Sequence, residues 1–227
     1  MSKFGLIGFP AAESLSPALF RAAYGGRGIY EIIEEADFDA AYSRFLREDF
    51  LAVNVTAPHK KSAADAADRR SPEVERIGAA NILVKSPDGL VEAHNSDTLA
   101  VRLLVGDLPD VSTAVVIGLG GAGRAALDAC IQCGYKTSFL HHDELSDGLS
   151  ADLVVYTLPC AVSGISNISC RYLLEANYLT PACSELPGID HYIDGRKWLL
   201  AQAVCGYPHM TGETPDADAM ASALRGE

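Results

Sequence analysis

Lys60 ends the run Asn54-Val-Thr-Ala-Pro-His-Lys, which follows the apolar stretch Phe50-Leu-Ala-Val. Pro58 removes a backbone donor and pushes Ala57 toward an extended conformation, so the spacing predicts a strand, a turn and a helix beginning near Lys60. An amine held at the end of such a rigid polar segment is placed to do chemistry. Taken alone, the heptapeptide also fits a proline-containing loop with a solvated lysine. Other stretches change that balance: Ser14-Leu-Ser-Pro upstream, with Asn81 and Asn95-Ser-Asp downstream, add hydroxyls, amides and a carboxylate. Together with Lys60 they read as one site.

A second constellation is G-x-G-x-x-G, with Gly118, Gly120 and Gly123 set between the apolar strand Thr113–Ile117 and an alanine-rich helix. Gly118 permits a tight turn, Gly120 lets backbone approach a pyrophosphate, and Gly123 allows close packing of helix on strand. The free N–H groups and dipole of the helix N-terminus suit a phosphate. An acid at the tip of the second strand usually reads NAD; here that tip carries His141, His142 and Asp143, with no arginine for a 2′-phosphate. A histidine can donate to a phosphate while Asp143 would repel it, so the residues leave NAD and NADP open.

The rest of the composition narrows the function classes. At 227 residues and 48% hydrophobic, the chain suits one large or two modest globular domains. A net charge of −12 with no Lys/Arg cluster argues against nucleic acid or an anionic membrane, and for a small-molecule partner. No run is long enough for a membrane helix, and the first residues lack a signal-peptide pattern, so a cytoplasmic location is expected. Cys130 and Cys133 form a C-x-x-C, but they follow the apolar spacing of their helix and read as packing. The six histidines show no metal-ligand spacing, and no metal is expected.

The elements that position these groups alternate. Apolar runs at 4–8, 28–33 and 50–55 interleave with helical stretches at 17–24, 38–46 and 60–67, the pattern of a parallel-type α/β sheet. Ala80–Val84 and Leu90–Ala93, joined by Ser86-Pro-Asp-Gly, read as an added hairpin. A helix over 96–105 leads to the second unit, with strands at 113–117, 136–140, 152–156 and 192–193. Helices at 198–204 and 215–224 close the chain.

In this order, the motifs resemble the shikimate dehydrogenase family: S-L-S-P at Ser14–Pro17, N-V-T-x-P-x-K at Asn54–Lys60, G-A-x-N at Gly78–Asn81, N-[TS]-D at Asn95–Asp97, G-x-G-G-A at Gly118–Ala122, then Gln202-Ala203 and Thr211-Gly212. The resemblance implies NADPH-dependent, reversible reduction of 3-dehydroshikimate to shikimate in aromatic amino-acid biosynthesis. It implies Lys60 and Asp97 as the catalytic pair, and Ser14 and Ser16 as hydroxyls for the substrate carboxylate. Thr56, Asn81, Asn95, Tyr178 and Gln202 would complete the substrate site, and Gly118, Gly120, Gly121, Ala122, Gly123, His141 and His142 would hold the cofactor. Lys61, one step past the motif, reads as solvated. The chain departs from the family in several places. The family is usually longer, so the region around Tyr24–Ile29 looks trimmed; His141-His142-Asp143 replaces asparagine-arginine-threonine; His94 replaces a glycine; and Tyr156-Thr-Leu-Pro departs from asparagine-alanine-threonine-proline.

The expected architecture is therefore α/β. An N-terminal substrate domain over 1–96, with helices over 200–227 packing back on it, joins a Rossmann-type dinucleotide domain over 97–199. Substrate is expected in the cleft between them, and the chain is expected to be a monomer or homodimer. Two rivals stand beside this reading: an NAD-dependent quinate/shikimate dehydrogenase-like enzyme, and a non-catalytic small-molecule sensor of the same fold.

Overall fold

The computed structural model describes residues 1–145 and 148–226. The chain divides into two compact units, Met1–Ser96 together with the chain from Gln202 onward, and Asp97–Ala201.

The first unit runs β1 (Lys3–Gly8), α1 (Ser16–Ala23), β2 (Ile29–Glu34), α2 (Phe38–Arg47), β3 (Phe50–Val55), α3 (Lys60–Ala66), β4 (Arg69–Arg70), α4 (Pro72–Ile77), β5 (Ile82–Lys85) and β6 (Val91–His94). The sheet order is β2-β1-β3-β5-β6-β4. β1 pairs in parallel with β2 and β3, while β5 runs antiparallel to β3 and β6. This is the mixed sheet with an added hairpin that the alternation predicts. Helix α2 shows why the layers hold: Phe38, Ala41 and Phe45 recur on one face and are buried, and Asp37 caps the start by accepting from the Asp39 N–H. That face packs into a core with Ile7, Phe50, Val53 and Leu83 from the sheet.

Residues 68–78 carry two elements that the periodicity does not announce. β4 is two exposed arginines, and its strand character comes from pairing with β6 and from ion pairs of Arg69 with Asp88 and Glu92. Such a short charged edge strand has no hydrophobic alternation to read. α4 is only six residues, set by its caps: Ser71 accepts from the Val74 N–H, Pro72 opens the helix, and Gly78 ends it at φ +63°.

The second unit comprises α5 (Asp97–Val105), β7 (Thr113–Ile117), α6 (Gly121–Gln132), β8 (Lys136–Leu140), β9 (Leu149–Tyr156), β10 (Ile168–Glu175), β11 (Ile189–Ile193) and the first part of α7 (Gly195–Thr211). Its five strands are all parallel, in the order β11-β10-β9-β7-β8. Alternate residues feed two cores: Ala114, Val116, Leu153, Val155 and Leu174 on one face, Ile117, Val154, Tyr156 and Leu173 on the other. A sheet buried on both sides reads as continuous apolar runs, as β7 and the second half of β9 do.

The strands at 113–117, 136–140, 152–156 and 192–193 omit β10, which the structure inserts between β9 and β11. Its first half alternates buried and exposed residues around Ser169 and Arg171, and only Tyr172-Leu-Leu-Glu is wholly buried. Helix α7 extends well past 198–204, continuing through Pro208 to Thr211, and α8 (Ala217–Arg225) ends the fold. All six cysteines are free thiols. Burial pushes the Cys130 thiol up to about 12, in keeping with a packing role. Among the described residues no helix is long and apolar enough to cross a membrane, and no His/Cys/Asp/Glu group has a metal-binding arrangement.

Candidate functional site

In the first unit the polar motif gathers where β1 and β3 end. Thr56 leaves β3 with its N–H donating to Ile7 O at 2.9 Å, and His59 N–H closes the turn onto Thr56 O at 3.0 Å. The His59 ring is buried, with Nε2 2.7 Å from Glu35 O and its face 5.7 Å from the Phe38 ring. Lys60 then opens α3, and its carbonyl accepts from Ala80 N–H at 2.8 Å. The lysine is thus held by the turn before it and by its own carbonyl, and the residue is half-buried. Lys61 is exposed and paired with Asp65 at 2.5 Å.

Asn54, to which the sequence motif assigned no role, is a buried strut. Tyr30 Oη donates to its Oδ1 at 2.7 Å, and its Nδ2 reaches Asn81 O at 3.4 Å. Asn81 is 2% exposed, and its backbone joins two strands, donating to His94 O and accepting from Val55 N–H. Its carboxamide accepts from Ser96 N–H at 2.9 Å and donates to Ser96 Oγ at 3.0 Å and Gln202 Oε1 at 3.2 Å. Asn95 is buried and donates to Ala79 O at 2.9 Å. Ser14 Oγ accepts from Ser16 N–H at 3.2 Å and donates to Ser16 Oγ at 3.1 Å. Helix α1 starts at Ser16 with Leu15 at its N-cap, and the Ser14 hydroxyl takes up the N–H of that first helical residue. Tyr207 donates to Ser16 O at 3.3 Å. His94 stacks on His209, with ring centroids 4.5 Å apart, and burial followed by the neighbouring His209 holds its pKa below the usual histidine value.

In the second unit Asp97 is the first residue of α5 and only 4% exposed. Trp198, the one tryptophan of the chain, donates from Nε1 to Asp97 Oδ1 at 3.1 Å. Tyr178 lies half-buried in the loop after β10. Asn177 shapes that loop, donating to Pro159 O and Thr180 O and accepting from Leu179 and Thr180 N–H. The fully buried Glu175 carboxylate anchors the loop's far side by accepting from Ala182 N–H, Cys183 N–H and Tyr192 Oη. Neither Asn177 nor Glu175 stands out in the sequence, because their partners are settled only once β10 is in place.

The glycine loop follows the geometry that its spacing implies. Gly118 has φ +91°, and a Cβ there would meet Leu158 Cδ2 at 2.8 Å and Thr157 Oγ1 at 2.9 Å. A Cβ on Gly123 would lie 1.9 Å from Gly118 O, so helix and strand meet there with no room for a side chain. At Gly120 an added Cβ would find open space, leaving the backbone free for a phosphate to approach. Gly121 and Ala122 open α6, whose N-terminus has no side-chain cap. Thr157, within the divergent Tyr-Thr-Leu-Pro stretch, donates from Oγ1 to Ile117 O at 2.8 Å and lies 3.2 Å from Gly118 O, bracing the loop from β9. His141 and His142 follow β8 and are both exposed; the His141 N–H donates to Glu144 at 2.6 Å.

Residues 6–83 match the family described as the shikimate dehydrogenase substrate binding domain. A shikimate dehydrogenase (NADP(+)) of Cereibacter sphaeroides is 38% identical over 140 residues, covering 57% of this chain and 50% of that protein. One of Ruegeria sp. is 36% identical over 140 residues, covering 57% and 51%. The chain thus spans about half the length of these curated relatives. Among solved structures, shikimate 5-dehydrogenase from Thermus thermophilus in complex with shikimate superposes with a TM-score of 0.83 at 26% identity, over 99% of this chain and 98% of that one. Quinate dehydrogenase from Corynebacterium glutamicum in complex with NAD shares the fold, with a TM-score of 0.80 at 20% identity over 100% and 99%.

Proposed function

We propose that this chain, a relative of the shikimate dehydrogenase family, is an NADP(H)-dependent oxidoreductase that acts on a CH–OH group and interconverts shikimate and 3-dehydroshikimate. One observation carries the reading: the polar motif of the first unit is retained, with Lys60 tied at the head of α3, in a chain that superposes at TM-score 0.83 on a shikimate-bound enzyme. In this reading the first unit binds substrate and the second binds the dinucleotide, in a cytoplasmic setting.

The open backbone at Gly120 and the uncapped start of α6 fit a pyrophosphate, so Gly118 through Gly123 would hold the cofactor, with His141 and His142 toward its ribose end. The nicotinamide, when bound, supplies or accepts the hydride. The chain's own residues manage the proton: as the alcohol is oxidised its hydroxyl proton must leave, and Lys60 Nζ and the Asp97 carboxylate carry that acid–base role. Ser14 and Ser16 bind the substrate carboxylate by neutral hydrogen bonds. Thr56, Asn81, Asn95, Tyr178 and Gln202 form the rest of the substrate site.

A second reading, oxidation of a related polyol acid such as quinate with NAD, draws on the exposed His141-His142-Asp143 tip, which offers no arginine to a 2′-phosphate. Purified protein with shikimate and with quinate, each with NADP and NAD, separates the two by absorbance of the reduced nicotinamide. Fastest turnover with shikimate and NADP is expected. Preference for quinate and NAD would shift the assignment to the second reading, and no turnover with any pair would reject both.

A further inference from the structure

The hydrogen bonds among Ser96, Asn81 and Gln202 have a direction that can be read from one end. A backbone N–H can only donate, so Ser96 N–H at 2.9 Å identifies the Asn81 atom facing it as the carbonyl oxygen. The Asn81 NH2 group therefore faces the other way, and its two hydrogens go to Ser96 Oγ at 3.0 Å and to Gln202 at 3.2 Å. A donor from Asn81 requires an acceptor on Gln202, so Oε1 of Gln202 is turned inward. The Ser96 hydroxyl also lies 3.5 Å from Oε1, an outer-limit contact of the same sense. Gln202 Nε2 is left on the opposite side, without a hydrogen bond among the described residues.

Helix α7 is shaped to permit this contact. Gly206 lies one turn beyond Gln202 on the same face, and a Cβ there would lie 2.8 Å from Ser96 Oγ and 2.8 Å from Ile82 Cδ1. The absence of a side chain lets the α7 backbone approach Ser96 closely enough for the short span between Asn81 and Gln202. Asn81 is buried and both of its amide hydrogens are engaged, so reversing Asn81 would set oxygen against oxygen, and reversing Gln202 would set one NH2 group against the other, in a poorly hydrated place.

We infer that Ser96 is a positioning residue that fixes the hydrogen-bonding polarity of Gln202, so that Gln202 meets its ligand as an N–H donor and selects an acceptor oxygen there. This rests on the proposed function for the identity of the ligand but not for the polarity itself. It also gives Asn81 a second task, since its NH2 group is committed to holding Gln202 and only its oxygen keeps a spare lone pair.

Side-chain NH2 resonances measured by NMR test the assignment. The Asn81 pair is identified by its absence in Asn81→Asp, and the Gln202 pair by its absence in Gln202→Met. In the free wild-type protein the Asn81 hydrogens should exchange at least about ten-fold more slowly than those of Gln202, one hydrogen bond being worth roughly that factor. Saturating shikimate should then slow the Gln202 pair. Slow Gln202 exchange in the free protein would overturn the polarity. If the enzyme turns over shikimate while the Gln202 pair does not respond to saturation, the donor role is wrong and the proposed function stands. If the polarity is seen but no shikimate turnover is found, the proposed function fails and the polarity stands. Ser96→Ala should narrow the exchange gap and raise KM for shikimate about three- to ten-fold, with kcat held within about two-fold. An unchanged gap and KM in this variant would remove Ser96 Oγ from the role.

Discussion

Trp198 Nε1 donates to Asp97 Oδ1 at 3.1 Å, and both side chains are buried. They lie 101 positions apart, at the start of α5 and in the first turn of α7. A buried carboxylate is costly unless hydrogen-bonded, so the indole both lowers that cost and holds the rotamer of a proposed proton-handling group. Trp198→Phe keeps most of the ring and deletes the donor. Loss of about 1.5–3 kcal/mol in stability is expected, the usual worth of a hydrogen bond to a charged group. Shikimate turnover should also fall, with cofactor affinity unchanged. Denaturant titration and steady-state kinetics check it; full stability with full turnover would show that the indole N–H does neither job.

Lys60→Ala should lower kcat by about two to four orders of magnitude with a much smaller change in KM, since a positioned acid/base acts mainly in the transition state. Its backbone ties to Ala80 do not involve the side chain, so the fold should persist. Turnover within a few-fold of wild type would exclude the lysine from proton transfer.

The cofactor tip predicts a weak choice between the two dinucleotides. His142 is exposed beyond β8, and an imidazole offers a phosphate single N–H donors where an arginine would offer a two-pronged charged fork. Preference for NADP over NAD should therefore be modest, within about ten-fold. The ratio of kcat/KM for the two cofactors decides it. A much larger preference would point to some other phosphate ligand. His142→Arg should strengthen NADP binding.

His94 should give the fold an acid sensitivity. Burial, and then the stacked His209, lower its pKa in the folded state, while Glu92 and Glu73 oppose the shift. Below about pH 6.5 the unfolded chain takes up a proton that the folded chain resists, so stability is full above that pH and is lost as pH falls toward the lower folded value. His94→Asn should lose less of its denaturation midpoint than wild type between about pH 7.5 and about pH 5.5. Equal losses would show that the imidazole pair carries no such linkage.

Features set by contiguous residues were legible from the sequence. Gly118 to Gly123 imposes its own turn: the positive φ at Gly118 and the missing Cβ at Gly123 are consequences of residue type at fixed spacing. The turn from Thr56 to Lys60 is equally local, closed by the His59 N–H onto Thr56 O. The both-sides burial of β7 and the second half of β9 follows from uninterrupted apolar runs.

What remained hidden was decided by partners far apart in the chain. β10 has half an alternating pattern and a charged end, and it becomes a strand because β9 and β11 pair with it on either side. Glu175 could be read only as a surface acid until Ala182, Cys183 and Tyr192 closed around it. The sequence by itself determined which polar groups are present and the local turns that hold them. Only the tertiary structure decided which way the amides of Asn81 and Gln202 face, because that direction starts from the backbone N–H of Ser96 and passes across 15 and then 121 positions of chain. No pattern of residue types records the orientation of a carboxamide; it follows from which donor the fold brings to it.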